Sequence, residues 1–405
     1  MKQGWEVKNL VDVCIVERGS SPRPIKKYQT DSSDGVNWIK IGDTKGVEKY
    51  IYTTKEKITK EGAEKSRYVK EGDLILSNSM SFGRPYIMKT DGYIHDGWFV
   101  LRLHNFIDAE YFFHLLSSPC VNEQFHKLAS GSVVQNISGD LVKRVVLPIP
   151  SLHEQQLIVA ILDETFDAIA KAKANAEQNL NNAKELFESY LQGVFETKGE
   201  GWENKTLKEL TTLLGDGLHG TPKYTEDGDY HFINGNNLKD GVIEFKTSTK
   251  RVSIEEYNKY KKNLTDRTVM VSINGTLGNV AFYNNEKIIL GKSACYFNMK
   301  DSVAKSYIKY VLSSPYFLLY AHKESTGATI KNVSLKTMRE FIVPLPSLNE
   351  QQSIVRKLDA LSLETKRLEA IYQQKINDLE ELKKSVLQKA FAGELSSKTL
   401  ELESK

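Results

Sequence analysis

The chain is poor in cysteine: Cys14, Cys120 and Cys295 are all it has. An odd number of widely separated cysteines excludes a disulfide framework and the paired spacing of a zinc site. They read as small, half-buried residues in a reducing compartment. The eight histidines are scattered without metal-ligand spacing. No apolar run approaches the roughly twenty residues that span a bilayer. Met1-Lys2 leads straight into polar sequence, without the apolar core of a secretory signal. The expected location is therefore the cytoplasm. Proline is absent from 151–198 and from everything after Pro346, which leaves room for long, uninterrupted helices.

Catalytic signatures are missing as well. A dinucleotide or methyl-donor site needs a glycine-rich turn between a strand and a helix. Gly215-Asp216-Gly217, with His219-Gly220, is followed by Pro222 and charged residues instead. There is no phosphate-cradling Gly-x4-Gly-Lys-Ser/Thr loop, no Asn-Pro-Pro-aromatic stretch, and no Asp…Glu-x-Lys standing at a strand end. His95 beside Asp96 reads as a surface turn rather than an acid/base pair. The expectation is that the chain is not an enzyme by itself and holds no cofactor or metal of its own.

What the chain does contain is a repeat. PIPSLHEQQLIV at 148–159 returns as PLPSLNEQQSIV at 344–355, a shift of 196 residues. Gly4-Trp5-Glu6 returns as Gly201-Trp202-Glu203, Ser117-Ser118-Pro119 as Ser313-Ser314-Pro315, and Leu191-Gln192 as Leu387-Gln388. Between these, likeness fades: SNSMSFG at 77–83 matches SINGTLG at 272–278 in little but its ends. A repeat of half the chain, with similar ends and diverged middles, is two copies of one unit rather than a solenoid. The length allows two or three domains.

The repeated words read as a helix start. Pro-x-Pro is incompatible with helix interior. Ser151 with Glu154, and Ser347 with Glu350, have capping-box spacing, in which the serine accepts a backbone N–H and the glutamate reaches back. Beyond them runs a coiled-coil seam through Ile158, Leu162, Phe166, Ile169, Lys173, Ala176, Leu180, Ala183, Phe187, Tyr190 and Val194. A second runs through Ile354, Leu358, Leu361, Thr365, Leu368, Tyr372, Ile376, Leu379, Leu382, Val386 and Ala390. Each helix of about forty residues would be roughly 60 Å long. One such stripe cannot be buried alone, and two in one chain can cover each other. The predicted layout is a globular domain at 1–150, a long helix at 151–198, a second domain at 199–346, a second long helix at 347–396 and a polar tail at 397–405.

The globular parts have the texture of α+β domains in which strands dominate. Short β-rich runs occur at 73–76 and 268–271, turns at Asp34-Gly35, Asp91-Gly92, Asn234-Gly235 and Asn274-Gly275, and helices are expected at 108–117, 120–128 and 304–321. Trp38, Trp98, Phe232 and Tyr296 read as core. Charge is uneven: net +3 over 1–150, −5 over 151–200, +5 over 201–345 and zero over 346–405. Basic middles suit a polyanion.

Gly131-Ser-Val-Val-Gln-Asn-Ile-Ser, then Leu147-Pro-Ile-Pro-Ser-Leu-His-Glu-Gln-Gln and a long helix, resembles the specificity (S) subunit of type I restriction-modification enzymes. Gly327 through Gln352 fits the same pattern. The resemblance covers essentially the whole chain. It implies two target recognition domains, each reading half of a bipartite, asymmetric double-stranded DNA site. It also implies two long antiparallel helices that serve as a spacer and dock two methyltransferase (M) subunits, with restriction/translocase (R) subunits joining them. Adenine methylation, cleavage and the use of S-adenosylmethionine, ATP and Mg would belong to those partners. A pseudo-twofold pair of domains would meet half-sites about one helical turn apart. A self-contained DNA methyltransferase or nuclease, or a coiled-coil scaffold that does not read DNA, are the alternatives. Candidate DNA contacts are polar and basic residues in turns. In the first domain they are Arg18, Ser20, Arg23, Lys26, Lys27, Asn78, Ser79 and Arg84. In the second they are His219, Thr221, Lys223, Tyr224, Asn236, Asn237, Asn274, Thr276 and Asn279. Short side chains and glycine let backbone approach phosphate, while Arg and Asn can read base edges with paired hydrogen bonds.

Overall fold

A computed structural model describes residues 2–78, 83–129, 138–327 and 329–395. The chain divides into two compact units. One holds residues 1–176 and 374–405, the other 177–373. Each unit therefore contains one globular domain, the first part of the long helix that follows it, and the last part of the other long helix. The polar tail expected at 397–405 lies outside the described residues.

The first domain is built on the sheet Cys14–Arg18, Trp98–Leu103, Leu74–Ser77, Pro85–Met88 and Tyr50–Ile51, in that spatial order. Its interior strand Trp98–Leu103 explains the continuous apolar runs. Phe99 and Leu101 point into a core shared with the helices Ala109–Leu116 and Pro119–Ala129. Trp98 and Val100 point into a second core, against the sheet Gln29–Thr30, Glu56–Ile58, Val36–Ile39, Gly92–Ile94 and Arg67–Val69. A sheet covered on both faces needs apolar residues at every position, so no alternation appears in the sequence. The second domain repeats the plan. Thr211–Asp216, Ala294–Met299, Thr268–Ser272 and Val280–Phe282 form its central sheet. Phe297 and Val269 face its helices, and Tyr296 and Met270 face the second sheet. The helix expected over 304–321 is two helices, Lys305–Ser313 and Pro315–Glu324. Pro315 cannot donate into the first, and the Ser314 hydroxyl accepts the Phe317 N–H to start the second.

The long helices are Leu152–Thr197 and Leu348–Ala392. In the first unit they run antiparallel. Phe166 lies 5.2 Å from Lys383 Nζ, Lys173 pairs with Glu380, and Ile158 and Leu162 share the core with Leu387, Ala390 and Phe391. In the second unit Leu191 and Phe195 share a core with Leu358. The seam differs from the expected one near its ends. Tyr190 and Leu382 are exposed, at 43% and 45%, while Leu191 and Phe195 are buried.

The repeated sentence has a structural reason. Gln155 is fully buried. Its Oε1 accepts the Asp108 N–H (2.8 Å), and its Nε2 donates to the carbonyls of Phe106 and Pro150, both at 3.0 Å. Gln351 does the same with Ala304 N–H, Ser302 O and Pro346 O. The Tyr111 hydroxyl donates to Pro148 O at 2.8 Å, as Tyr307 does to Pro344 O. Only half of each capping box forms. Ser151 and Ser347 accept the expected N–H groups, but Glu154 turns to Lys2 Nζ and Glu350 to Trp202 Nε1. Trp202 lies in the repeated N-terminal word of its copy and Lys2 stands two residues before the matching word, and both draw the carboxylates away from the serine N–H.

Candidate nucleic-acid interface

The central strand of each domain connects two ends with different tasks. Trp98–Leu103 leads at its C-terminal end to Phe106 and Asp108, the groups gripped by Gln155. At about 3.3 Å per residue, its other end lies roughly 20 Å away. There the strand begins from the turn His95–Gly97, and the variable loops converge on that turn. Gly19 N–H donates to Trp98 O (2.8 Å), Ser20 N–H to Ile94 O (3.3 Å) and Asn78 N–H to Gly97 O (3.0 Å). The second domain reproduces this frame around Gly291–Ser293. Gly217 N–H donates to Ala294 O (3.2 Å), Leu218 N–H to Leu290 O (2.6 Å) and Ile273 N–H to Ser293 O (2.9 Å). Both hairpins close alike. The Ser77 hydroxyl accepts the Arg84 N–H (3.1 Å), and that of Ser272 accepts the Asn279 N–H (2.9 Å). Gly83 and Gly278, both at positive φ, complete the closures.

Close approach explains two further glycines. A Cβ on Gly19 would sit 2.0 Å from His95 O, and one on Gly217 would sit 2.2 Å from Leu290 O. Neither loop could lie against the turn with any other residue at that point.

In the first domain the turn gathers Arg18, Arg23 and Asn78. Arg18 Nε donates to Asp96 O (3.3 Å) and Asn78 Nδ2 to the same carbonyl (2.8 Å). The Asp96 carboxylate receives the Ser21 hydroxyl (2.8 Å) and the Arg23 guanidinium (3.1 Å). Partial burial pushes its pKa up, but the Ser21 hydroxyl, with His95 and Arg23, outweighs this and holds the carboxyl below its ordinary range. His95 is itself kept below the usual histidine value by burial, and its Nδ1 lies 2.7 Å from the Gly97 amide. Ser20 is adjacent and donates to Lys65 O (3.1 Å). Asn78 is only 3% exposed, so it braces the turn. Arg84 is exposed at the hairpin's far side, donating to Val47 O (3.0 Å) above the Tyr86 ring. Lys26 and Lys27 are exposed on the short helix Ile25–Lys27. Ser79 lies outside the described residues.

In the second domain the frame brings His219, Asn236, Asn274 and Thr276 into one neighbourhood. His219, largely exposed, contacts Asp216 at 2.6 Å. The Ser293 hydroxyl accepts the Gly235 N–H (2.8 Å) and donates to Asn234 Oδ1 (3.0 Å), which places exposed Asn236 beside the turn. Asn274 Nδ2 donates to Asn332 Oδ1 (3.0 Å), and Gly275 N–H to Lys331 O (2.9 Å), so Lys331 and Asn332 lie against the hairpin. Exposed Thr276 is on that hairpin, and Asn279 closes it. Asn237 is 5% exposed and spends its amide on Glu244 O (2.9 Å) and Thr249 (3.2 Å), building its own turn. Thr221, Lys223 and Tyr224 are exposed, but Lys223 and Tyr224 belong to the edge of the second sheet, where Lys223 N–H meets Glu256 (3.0 Å) and Tyr224 leans on Phe232. Sequence reasoning missed Ser21, Lys292, Ser293, Lys331 and Asn332 and set Asp96 aside. Lys331 and Asn332 stand inside the repeated Gly327–Ser334 words, whose return was the available signal. The matching stretch 131–137 lies outside the described residues. Among the described residues no group of His, Cys, Asp and Glu has the arrangement to hold a metal ion, and no helix is long and apolar enough to cross a membrane.

Comparison with known proteins bears on both copies. The family model for the type I restriction modification DNA specificity domain matches residues 2–180 and again 199–381. The MjaIX specificity subunit of a type I restriction enzyme from Methanocaldococcus jannaschii is 23% identical, over 96% of this chain and 93% of its own. The EcoKI specificity subunit of Escherichia coli is 22% identical, over 98% and 90%. Among solved structures, a chain from work on assembly and conformational transition of a type I R-M system superposes with a TM-score of 0.80 at 21% identity, covering 98% of this chain and 99% of that one. The HsdS subunit from Thermoanaerobacter tengcongensis gives 0.64 at 21%, with 98% of each chain covered. At these identities the structures establish the fold.

Proposed function

Because the chain belongs to the family of type I restriction-modification DNA specificity subunits, we propose that each globular domain reads one half of a split double-stranded DNA target through the loops around its turn, His95–Gly97 or Gly291–Ser293. The observation that carries this reading is the pairing of one backbone frame with two different sets of side chains. A frame kept in both domains holds the loops at the strand end away from the helix pin, while the polar groups it presents differ. That is what two half-sites of different sequence require. Phosphate contacts would come from exposed cations such as Lys26, Lys27 and Lys223, and base contacts from the groups nearest the turns.

The long helices and the adjoining domain edges are the proposed platform for two methyltransferase subunits, with restriction subunits joining through them. Methyl transfer from S-adenosylmethionine, ATP use and Mg-dependent cleavage are assigned to those partners. The test is methylation sequencing of DNA modified by the complex reconstituted with its methyltransferase subunits. A split, asymmetric motif with modified bases on both strands is expected. Replacing residues 1–145 by those of a relative should alter one half of the motif only. A continuous motif, or a change in both halves, would refute two independent readers. Methylation by this chain without any partner would place catalysis here instead.

A further inference from the structure

At the turn where the loops converge, the two domains carry opposite charge in the same backbone position. Asp96 and Lys292 stand one residue before Gly97 and Ser293, whose carbonyls accept the Asn78 and Ile273 N–H groups at 3.0 and 2.9 Å. The inversion extends to the neighbouring strand. Arg18 pairs with Phe99 in the first sheet, and Asp216 pairs with Cys295 in the second. Each is followed by the glycine that lies against the turn, Gly19 or Gly217. An Arg/Asp couple in one domain is thus an Asp/Lys couple in the other.

The two charges are not equally available. Both carboxylate oxygens of Asp96 are engaged, one by the Ser21 hydroxyl and one by Arg23. Its carbonyl is engaged by Arg18 and Asn78. Asp96 therefore holds neighbouring groups in place. Lys292 is fixed only through its backbone, whose N–H donates to Leu218 O at 3.0 Å. Its side chain is exposed and forms no ion pair among the described residues. The carboxylate on the neighbouring strand, Asp216, contacts His219 at 2.6 Å. Lys292 is thus an exposed cationic donor in the turn that receives the Leu218 and Ile273 backbones, between Gly291 and Ser293. Of the base edges in the major groove, guanine alone offers two adjacent acceptors, O6 and N7, and a Lys or Arg donor is their usual partner.

We propose that Lys292 is a specificity-determining residue of the second domain, donating to the O6/N7 edge of a guanine in the second half-site, while Asp96 at the same position is a positioning residue for Arg18, Arg23 and Asn78. This rests on the proposed reading of DNA by the two domains. The test uses the full chain assembled with its methyltransferase subunits, S-adenosylmethionine and a DNA library randomised across the motif. Wild-type complex first defines the motif; if it yields no split motif, the functional reading itself fails. Given a split motif, Lys292→Met should relax one G·C pair of the second half by roughly 5- to 140-fold in discrimination, the equivalent of 1–3 kcal/mol. The first half-site, read in the same molecules, should be unchanged. Lys292→Arg should retain the guanine. A uniform loss at all positions, with a salt dependence shallower by about one released counterion, would make Lys292 a phosphate contact and overturn the proposal. An unchanged motif in Lys292→Met would overturn it equally.

Discussion

Gln155 offers the clearest test of how a recognition domain is fastened to its helix. Methionine has nearly the same length and shape but can neither accept nor donate in the same way. Gln155→Met would orphan three backbone groups at once: Asp108 N–H, Phe106 O and Pro150 O. The Gln155 side chain and its bond to Pro150 O are fully buried and the other two bonds partly so, so water replaces them only in part. An unmet buried polar group costs about 1–3 kcal/mol. Carbonyls tolerate the loss better than an N–H, so a total of about 3–5 kcal/mol is expected. Asp108 also caps the helix Ala109–Leu116, its carboxylate accepting the N–H groups of Glu110 and Tyr111. The damage should therefore spread into that helix. Hydrogen exchange at residues 108–112 should accelerate by two to three orders of magnitude, at 1.4 kcal/mol per tenfold. Residues 304–308, held by Gln351, should be unaffected. Gln351→Met should reverse the pattern. A loss below about 1 kcal/mol at 108–112, or equal changes at both sites, would refute the idea that this glutamine is the reason the motif is repeated.

Three further outcomes are expected. Gly19→Ala forces a Cβ to within 2.0 Å of the His95 carbonyl, at a cost of about 1–3 kcal/mol; methylation sequencing should show degraded selectivity in one half-site, and Gly217→Ala should degrade the other. His114, buried and near Lys49, is pushed down to about 4 despite its contact with Asp163. Folded protein then binds fewer protons than unfolded, so stability is full above about pH 6.5 and falls as pH drops toward 4. The loss is on the order of 3 kcal/mol; denaturation of His114→Phe should lack that dependence. Ala176, buried on the first long helix, should not tolerate proline; Ala176→Pro costs about 3 kcal/mol or more and should abolish co-purification with methyltransferase subunits.

Much of the architecture was legible because it is written in local chemistry. Pro148 and Pro150 followed by Ser151 mark a helix start within one residue of where it occurs. The spacing of Ile158, Leu162 and Ile169 marks the buried face. Legibility ended where partners come from far along the chain. Nothing near Glu154 announces Lys2, 152 residues away, and the glutamate half of the capping reading failed for that reason. Tyr190 fits the heptad as well as Leu191 does, and only packing against the second domain's core decides between them. The candidate site was harder still. Asn78 and Asn237 have the side chains of base readers, but both are buried and committed to backbone groups. Lys292 sits in an ordinary Gly-Lys-Ser turn and gains its meaning only from Leu218, Ile273 and Ala294 folding around it.

The pattern of what the two copies share follows from the same division. Residues that fasten the domain to the helix make backbone-directed hydrogen bonds in buried sites, so any change leaves an unmet group and is costly. Gln155, Gln351, Tyr111 and Tyr307 are of this kind. The frame around each turn is made by main-chain groups, which are indifferent to side-chain identity as long as Gly19 and Gly217 leave room. Exposed side chains on that frame contribute little to stability. They are free to differ, as exposed Lys292 does from the partly buried, engaged Asp96 at the same position. The domain can therefore exchange what it presents to DNA at little cost to its folding, while the pin to the helix cannot vary at all. A chain built this way keeps its ends and changes its middles, as the sequence does.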